Sequence, residues 1–344
     1  MLDSESSFPF ALGSFSLAGC TPFPGVVMGD RLVAVSAVRS LAAVLGLPFG
    51  RAGTMLEVLE DWELNFSTLQ SLFGGERRAE IGALPYAALS AATFHAPVPA
   101  PRQIFCAGAN YRKHVVDLVV DHGGGPETAG MNAGERETYV SKSLDERAAR
   151  GTPYAFTKLP SSVTGPFDTI TLPAHSTQAD WEVELAVIIG RPARFVTGDG
   201  ALRCIAGYTV ANDLTCRDRV YRSDLKILGT DWLQGKCSPG FLPMGPYLVP
   251  AVFVGDPQRL QLRLKLNGEI MQDESSADMI FSVVKLIEYL STYVQLLPGD
   301  VICTGSPSGN GTHYGRYLRD GDVLEGSVVG LGAQRNRCTL SSPP

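Results

Sequence analysis

The chain has 344 residues, 44% of them hydrophobic and 19% charged, with a formal net charge of -6 and a pI near 5.5. These values are typical of a folded protein, and the acidic balance without a Lys/Arg-rich run argues against nucleic-acid binding. No apolar run reaches the ~18 residues that a membrane helix needs, and the seven cysteines include no C-x-x-C pair. We therefore expect a cytoplasmic protein with reduced core thiols, no nucleic-acid or membrane partner, and a small-molecule ligand.

The first part of the chain predicts a small α+β domain over residues 1–95. Short β patterns flank the hairpin-type turn Gly29-Asp30, and apolar spacing near three to four residues predicts a helix over 55–72. Residues 96–101 contain alternating prolines, which stiffen the backbone and remove amide donors, so they indicate a linker. We place the domain boundary there and expect a catalytic domain over residues 102–344.

Beyond the linker, short apolar segments punctuated by Pro and Gly predict strands, with one clear helix over 279–290. Because strands and helices do not alternate, a doubly wound sheet is disfavoured and a β-rich roll or barrel fits better. Residues 121–152 are polar and contain Gly123-Gly124-Gly125, so they predict a long loop. The predicted fold class is mixed and β-rich, with a β-roll or barrel catalytic domain.

Acidic residues cluster where one predicted strand begins. Asp180, Glu182 and Glu184 alternate with other residues and lead directly into the apolar segment 185–190. Because strand side chains alternate between faces, we expect the three carboxylates to share one face next to a core. Carboxylates buried together repel one another unless a cation compensates, which a hard divalent ion can do. A solvent-facing acidic strand edge is an equal alternative on this pattern alone.

Two further positions could carry chemistry. Asp213 follows a strand-like segment and can supply another carboxylate, while Arg217 offers the planar fork that binds a substrate carboxylate. Taken alone, Asn212-Asp213 is more often an ordinary Asx turn. His114 and Asp117 share one face of a predicted helix, so the carboxylate can orient the imidazole, although an isolated pair of this kind is more often a surface contact.

The sequence lacks the G-x-S-x-G, H-E-x-x-H and G-x-x-x-x-G-K-[ST] motifs, and no G-x-G-x-x-G follows a strand. Instead, six segments in order resemble the fumarylacetoacetate hydrolase family, in particular its acylpyruvate hydrolase and oxaloacetate decarboxylase branch. The segments are 106–114, 180–190, 207–218, 235–237, 266–272 and 297–307.

The resemblance implies that Glu182, Glu184 and Asp213 bind one Mg²⁺ or Mn²⁺ per subunit, in agreement with the argument from burial. Lys236 and Arg217 correspond to family residues that lie beside the metal-bound substrate. Both suit a small anionic 2-oxo acid, because each carries a positive charge.

The same resemblance implies that His114 and Asp117 form the dyad that activates water, carried on a lid over residues 112–152. Asp117 departs from the more common glutamate, and its side chain is one methylene shorter. The further substrate contacts that the resemblance implies are Gln272, Thr304 and Ser306.

By resemblance, the activity is metal-dependent hydrolysis of a carbon–carbon bond in an acylpyruvate or other 2,4-dioxo acid, such as a fumarylpyruvate-like or fumarylacetoacetate-like compound, through a stabilised enolate. Oxaloacetate decarboxylation and hydroxydienedioate isomerisation use the same enolate chemistry and are alternatives. A catalytically weak protein that binds a metal and 2-oxo acids is a third. A homodimer is also expected, since the family commonly pairs its catalytic domains.

Overall fold

The computed structural model describes residues 8–75, 77–123, 125–225, 227 and 229–341, and only the backbone at 78 and 122. Gly124 of the predicted lid and both chain ends lie outside the described residues. Within them, no helix is long and apolar enough to cross a membrane. The helices in chain order are α1 (Val35–Val44), α2 (Met55–Glu60), α3 (Trp62–Phe73), α4 (Arg78–Ile81), α5 (Arg112–His122), α6 (Ala133–Arg150), α7 (Asp199–Arg203), α8 (Arg217–Val220), α9 (Trp232–Lys236), α10 (Ala251–Val254), α11 (Val283–Tyr293) and α12 (Gly311–Tyr314).

Strands of the described residues form three larger sheets and two short ribbons. In chain order they are β1 (Ala11–Ser16), β2 (Phe23–Met28), β3 (Arg31–Ala34), β4 (Ala87–Ala88), β5 (Thr93–His95), β6 (Ile104–Gly108), β7 (Tyr154–Lys158), β8 (Val163–Thr164), β9 (Ile170–Leu172), β10 (Ala179–Asp180), β11 (Val183–Ile189), β12 (Ile205–Asn212), β13 (Thr215–Cys216), β14 (Leu242–Pro243), β15 (Val249–Pro250), β16 (Gln261–Leu266), β17 (Glu269–Ser275), β18 (Val301–Cys303), β19 (Val323–Val328) and β20 (Gly332–Leu340).

The N-terminal sheet is antiparallel, with the strand order β4-β3-β2-β1-β5. Its β2–β3 hairpin turns at Gly29-Asp30, as predicted, with Gly29 at a φ of 60°. Residues 96–103 form neither helix nor strand, in keeping with the predicted linker. The sheet nevertheless joins the rest of the chain directly, since the N–H of Leu12 donates to the carbonyl of Leu248 at 2.9 Å. A separate N-terminal domain therefore stays a prediction.

The central sheet is mixed, with the order β15-β12-β11-β18-β6-β7. Its two longest strands, β11 and β12, pair antiparallel and have every residue buried, which explains their almost unbroken apolar sequence. Strand β18 lies parallel to β6. Both long strands were predicted from the sequence, and they carry the acidic residues at their ends.

The central sheet is covered on both faces. Val183, Leu185 and Val187 point into a core shared with Leu262 and Leu264 of the third sheet, β17-β16-β19-β20-β9. The alternate residues Ala186 and Ile188 point the other way, into a core shared with the N-terminal sheet. The predicted mixed helix-and-sheet class is confirmed, whereas closure into a barrel stays a prediction.

The predicted long loop over 121–152 is wrong for much of its length, because residues Ala133–Arg150 form helix α6. The sequence of this segment is mostly polar, and only Val140 and Leu144 of the helix are buried, so its few apolar residues give a weak helix signal. A sequence signal was present. Asn132 and Glu135 form a capping box, in which each side chain accepts a hydrogen bond from the other's backbone N–H.

Two predicted helices have different bounds. The helix predicted over 55–72 is broken at Asp61, whose carboxylate accepts a hydrogen bond from the N–H of Arg51 at 2.9 Å. The helix predicted over 279–290 begins only at Val283, because the Ser282 side chain caps it by accepting from the N–H of Lys285.

Asp300 stands at the entry to β18 and is fully buried. Its Oδ2 accepts hydrogen bonds from the N–H of Leu297 and from Gln103, both at 2.7 Å, but its Oδ1 has no partner among the described residues. Burial raises the pKa of Asp300 to about 6, although these hydrogen bonds oppose the shift. The folded protein therefore binds a proton here more tightly than the unfolded chain.

We predict that Asp300→Asn removes a loss of stability that the wild-type protein suffers as the pH rises. Since the folded pKa lies above the unfolded value, the contribution of Asp300 is fully present below pH ~4 and is lost by pH ~6–7. Urea unfolding should be measured at pH 4.5 and at pH 7. Between these two pH values, the unfolding free energy of the variant should rise by about 2 kcal/mol relative to that of the wild type. A constant difference between the two proteins would contradict this.

Candidate metal centre and active site

Three carboxylates converge where β11 begins and β12 ends. Glu182 precedes β11 and Asp213 follows β12, and the antiparallel pairing of the strands brings them together, with the N–H of Asp213 donating to the carbonyl of Glu182 at 2.9 Å. Glu184 lies two residues further along β11, on the same face as Glu182. Carboxylate oxygens of the three all lie within 4.8 Å of one another, and all three residues are buried.

Two buried lysines neutralise part of this charge. Lys236, at the end of α9, donates from Nζ to Glu182 Oε2 and to Asp213 Oδ2, both at 2.6 Å. Lys158, at the end of β7, donates to Asp213 Oδ1 at 2.7 Å and to the carbonyl of Leu214 at 3.1 Å. Lys158 was not predicted from the sequence, because one lysine in a short strand carries no motif of its own.

The carboxylates are not equally compensated. Burial alone would raise the pKa of Glu182, but the charges of Arg217 and Lys236 outweigh it and hold that pKa below its usual range. Burial, together with the negative charge of Asp213, raises the pKa of Glu184 well above its usual value. Glu184 accepts a hydrogen bond from the N–H of Gly305 at 2.7 Å but has no ion pair among the described residues.

An acidic triad of this kind can bind a metal. Its donors are all carboxylate oxygens, which hard divalent cations such as Mg²⁺ and Mn²⁺ prefer. Burial and the nearby charge of Asp213 raise the pKa of Glu184, and a cation at the triad would stabilise its ionised form. The residues present therefore fit the predicted cation.

Asp180 is not part of the triad, although its carboxylate and that of Glu182 both bind Arg217. Strand β10 ends at Asp180 and β11 begins only at Val183, so the alternation is interrupted between them. At the interruption, Trp181 is fully buried and donates from its indole N–H to the carbonyl of Gly309 at 3.0 Å. The Asp180 side chain instead accepts a hydrogen bond from Arg217 Nε at 2.7 Å.

Arg217 opens helix α8 and lies beside the triad. Its Nε donates to Asp180, and its Nη2 donates to Glu182. Burial alone would lower the pKa of Arg217, but the charges of Glu182 and Asp180 raise it further above its usual range. The guanidinium is therefore permanently charged, and 22% of the Arg217 side chain remains exposed to solvent.

His114 lies in the first turn of α5, close enough to the charges of Glu182, Arg217 and Lys236 for all three to shift its pKa. Burial is the largest effect and lowers the pKa of His114 to about 4. The imidazole is therefore neutral at pH 7 and can accept a proton.

The predicted partner of His114 has other contacts. Asp117 Oδ2 accepts hydrogen bonds from Lys113 Nζ at 2.6 Å and from the Ser308 hydroxyl. Within the described residues, no hydrogen bond joins Asp117 to the imidazole. In this structure Asp117 therefore fixes helix α5 against the segment after β18, and the predicted dyad stays a prediction.

Residues 103–339 match the family described as fumarylacetoacetate (FAA) hydrolase C-terminal. The chain belongs to the fumarylacetoacetate hydrolase family. The resemblance carried by the six sequence segments is thereby confirmed. Members of the family are enzymes, among them hydrolases, tautomerases and isomerases.

Two of the following three relatives match most of the chain, and the third matches about half of it. The mitochondrial oxaloacetate tautomerase FAHD2A of Bos taurus is 33% identical over 89% of this chain and 91% of its own length. A 2,4-didehydro-3-deoxy-L-rhamnonate hydrolase of Sphingomonas sp. is 45% identical over 54% of this chain and 64% of its own. The solved fumarylacetoacetate hydrolase of Exiguobacterium antarcticum is 28% identical, with a TM-score of 0.72, over 96% of this chain and all of that one.

The family resemblance also implied Gln272, Thr304 and Ser306 as substrate contacts. In the structure, these three residues form hydrogen bonds with β11 or with the segment that follows β18. Gln272 accepts from the N–H of Val183 and donates to Ser306 and to the carbonyl of Pro307. The Thr304 hydroxyl donates to the carbonyl of Leu185 at 2.8 Å. Gln272 and Thr304 are thus committed to bracing β11, while Ser306, 7% exposed, has only a long further bond of 3.4 Å to Pro307.

We predict that changing both Glu182 and Glu184 to glutamine abolishes Mn²⁺ binding. The substitution keeps the side-chain volume but removes two of the three charges that attract the cation. Calorimetry with Mn²⁺ should show no detectable binding, while circular dichroism shows a folded protein. Glu325→Gln, a change on β19 away from the triad, is the matched control and should bind like the wild type. Unchanged stoichiometry in the double variant would rule out this assignment.

Proposed function

We propose that this chain is a metal-dependent hydrolase that cleaves the carbon–carbon bond between C3 and C4 of a 2,4-dioxo acid, an acylpyruvate in the general sense. The observation that carries the proposal is the convergence of the buried triad, two cationic side chains and a neutral imidazole at one place. We assign Glu182, Glu184 and Asp213 to a single Mg²⁺ or Mn²⁺.

The Sphingomonas relative supports this substrate class. The name 2,4-didehydro-3-deoxy-L-rhamnonate describes an acid with carbonyl groups at C2 and C4, and the activity named is hydrolysis. That relative is also the more similar in sequence, at 45% against 33% for the tautomerase, although over a shorter part of the chain.

In the proposed reaction, a divalent cation at the triad supplies Lewis-acid stabilisation of the negative charge that develops on the 2-oxo oxygen. Arg217 and Lys236 offset the charge of the substrate carboxylate. His114 takes a proton from water, whose oxygen attacks the C4 carbonyl carbon. The C3–C4 bond then breaks, its electrons pass to C3 and the 2-oxo group, and protonation at C3 releases pyruvate beside the new carboxylic acid.

A second candidate is oxaloacetate chemistry, either tautomerisation or decarboxylation. The Bos taurus relative is named a tautomerase and is matched over 89% of this chain. These reactions form the same enolate but need no attacking water. The Asp117 contacts favour this candidate, since the carboxylate is hydrogen-bonded to Lys113 and Ser308 and, among the described residues, not to His114. Isomerisation of a hydroxydienedioate would use the same groups.

A third candidate is binding without turnover. Tight oxalate binding in calorimetry beside no turnover of acetylpyruvate, oxaloacetate or a hydroxydienedioate would establish that candidate and reject the hydrolase.

We also propose that residues 112–152 act as a lid, now as helices α5 and α6 instead of a loop. Polar contacts join α5 to the segments beside it: Asp117 to Ser308, the N–H of Lys113 to Asp278 at 2.9 Å, and the His313 ring, whose Nδ1 lies 3.2 Å from Asp121. A lid held in this way can exclude water and still open for product release.

The homodimer stays a prediction. Light scattering at micromolar concentration should give twice the mass of the 36.8 kDa chain. A monomer mass would contradict it.

We predict that His114→Ala lowers the turnover of acetylpyruvate by ~10²-fold or more, the usual scale for a general base. Decarboxylation of oxaloacetate should fall much less, because no water has to be activated. The Mn²⁺ affinity should stay unchanged. His95→Gln, which alters a histidine on β5 of the N-terminal sheet, is the control and should match the wild type. Near-wild-type rates of the His114 variant on both substrates would remove this residue from the mechanism.

A further inference from the structure

Asp180 is a fully buried carboxylate with an unusual number of fixed donors. It accepts from the backbone N–H groups of Trp181 at 2.7 Å, Gly311 at 2.5 Å and Thr312 at 3.3 Å. The Thr312 hydroxyl donates at 3.1 Å and Arg217 Nε at 2.7 Å. Because these donors belong to separate segments of the chain, the carboxylate is fixed in position.

Arg217 is attached to the protein at three points. Its backbone N–H donates to the carbonyl of Gln178 at 2.9 Å, just beyond the pairing of β10 with β13. Its Nε is held by Asp180, and its Nη2 by Glu182. Its Nη1 has no hydrogen-bond partner among the described residues. One edge of the guanidinium is therefore held by Asp180, while the other lies on the side of the triad.

The two carboxylate partners of Arg217 differ in what a cation would do to them. Glu182 belongs to the triad, so a bound cation would compete with the guanidinium for its oxygens. Asp180 lies outside the triad and would keep its contact. An arginine without a fixed partner would lose its orientation, since its long side chain has many rotamers. Among the described residues, Asp180 is the partner of the guanidinium that a cation at the triad would not engage.

We infer that Asp180 is a positioning residue for anion recognition. It holds Arg217 by the Nε edge, so that the Nη edge faces the carboxylate of a 2-oxo acid when Glu182 is engaged by the cation. This inference rests on the proposed function, because it takes the ligand to be such an acid. A fork fixed at one edge and free at the other is the geometry that bidentate carboxylate binding requires.

The test compares the wild type with Asp180→Asn in two calorimetric titrations, Mn²⁺ alone and then oxalate added to the Mn²⁺-loaded protein. Oxalate presents a carboxylate next to a second oxygen donor, as a 2-oxo acid does. The variant should bind oxalate about ten-fold more weakly. With acetylpyruvate as the substrate, its KM should rise while its kcat changes less. Its Mn²⁺ affinity should stay within about three-fold of the wild type. Loss of Mn²⁺ binding would overturn the inference, because Asp180 would then belong to the metal site.

A double-mutant cycle tests whether Asp180 acts through Arg217. Arg217→Lys keeps the charge but removes the fork that Asp180 holds. In that background, Asp180→Asn should weaken oxalate binding by less than about two-fold, since the interaction it supports is already gone. Fully additive effects of the two changes would overturn the inference.

Asp322→Asn is the matched control. Asp322 is also a buried carboxylate that holds an arginine, with Arg316 Nη2 at 2.8 Å from both of its oxygens, and it accepts from the N–H of Arg319 at 2.7 Å. Asp322 holds residues 316 and 319, which follow Gly311 in the chain. The Asp322 variant therefore shows whether loss of order in this segment alone weakens oxalate binding. Oxalate affinity should be unchanged in this variant. A loss equal to that of Asp180→Asn would overturn the inference.

If Asp180→Asn does not fold, Thr312→Val provides the measurement. It removes one donor from Asp180 and leaves both charges in place. Oxalate binding should weaken by about two- to three-fold, the scale of one hydrogen bond, and an unchanged affinity would overturn the inference.

The same titrations separate this inference from the proposed function. Wild-type protein that binds Mn²⁺ and oxalate but cleaves no 2,4-dioxo acid would overturn the hydrolase alone, and the variants would still decide the role of Asp180. Wild-type protein that binds neither would overturn both.

Discussion

Burial of several carboxylates next to one another is the constraint on which this site depends. Asp180, Glu182, Glu184 and Asp213 are all buried, and the cations that contact them are Lys158, Lys236 and Arg217. With every group ionised, four negative charges against three positive ones leave a net charge of one negative unit. A divalent cation would reverse that sign, and the site would then attract a monoanionic acid. Under the proposed function, this charge balance would suit an anionic 2-oxo acid.

The strands make this costly arrangement possible. Strands β11 and β12 are buried on both faces, and the stability of those cores holds the carboxylates at the strand ends where repulsion alone would separate them. Gly305 contributes as well, because its φ of 98° and the close approach of Asn110, 2.8 Å from where a Cβ would lie, leave room only for glycine. Its N–H can then reach Glu184.

Strand alternation and a following apolar segment indicate that Glu182 and Glu184 are buried carboxylates, whereas the assignment of Asp213 and Arg217 rested on the resemblance to the family. The alternating pattern does not reveal that the strand is interrupted at Trp181, between Asp180 and the triad. Lys158 was missed because its role follows from a contact 55 residues away in the chain. Helix α6 was missed because hydrophobic periodicity does not detect a mostly exposed helix, whereas its capping residues do.

The pairing of His114 decides between the two reactions that share this enolate chemistry. Burial lowers the pKa of His114 from 6.5 to about 4. Transfer of a proton from water to this imidazole is therefore less favourable by about 3 kcal/mol than transfer to an exposed histidine. A carboxylate that faces the imidazole restores much of this, because it stabilises the charged form. Asp117 lies one helical turn away but is held by Lys113 and Ser308. Under the proposed function, turning that side chain toward the ring would support water activation, whereas its present contacts would suit enolate formation alone.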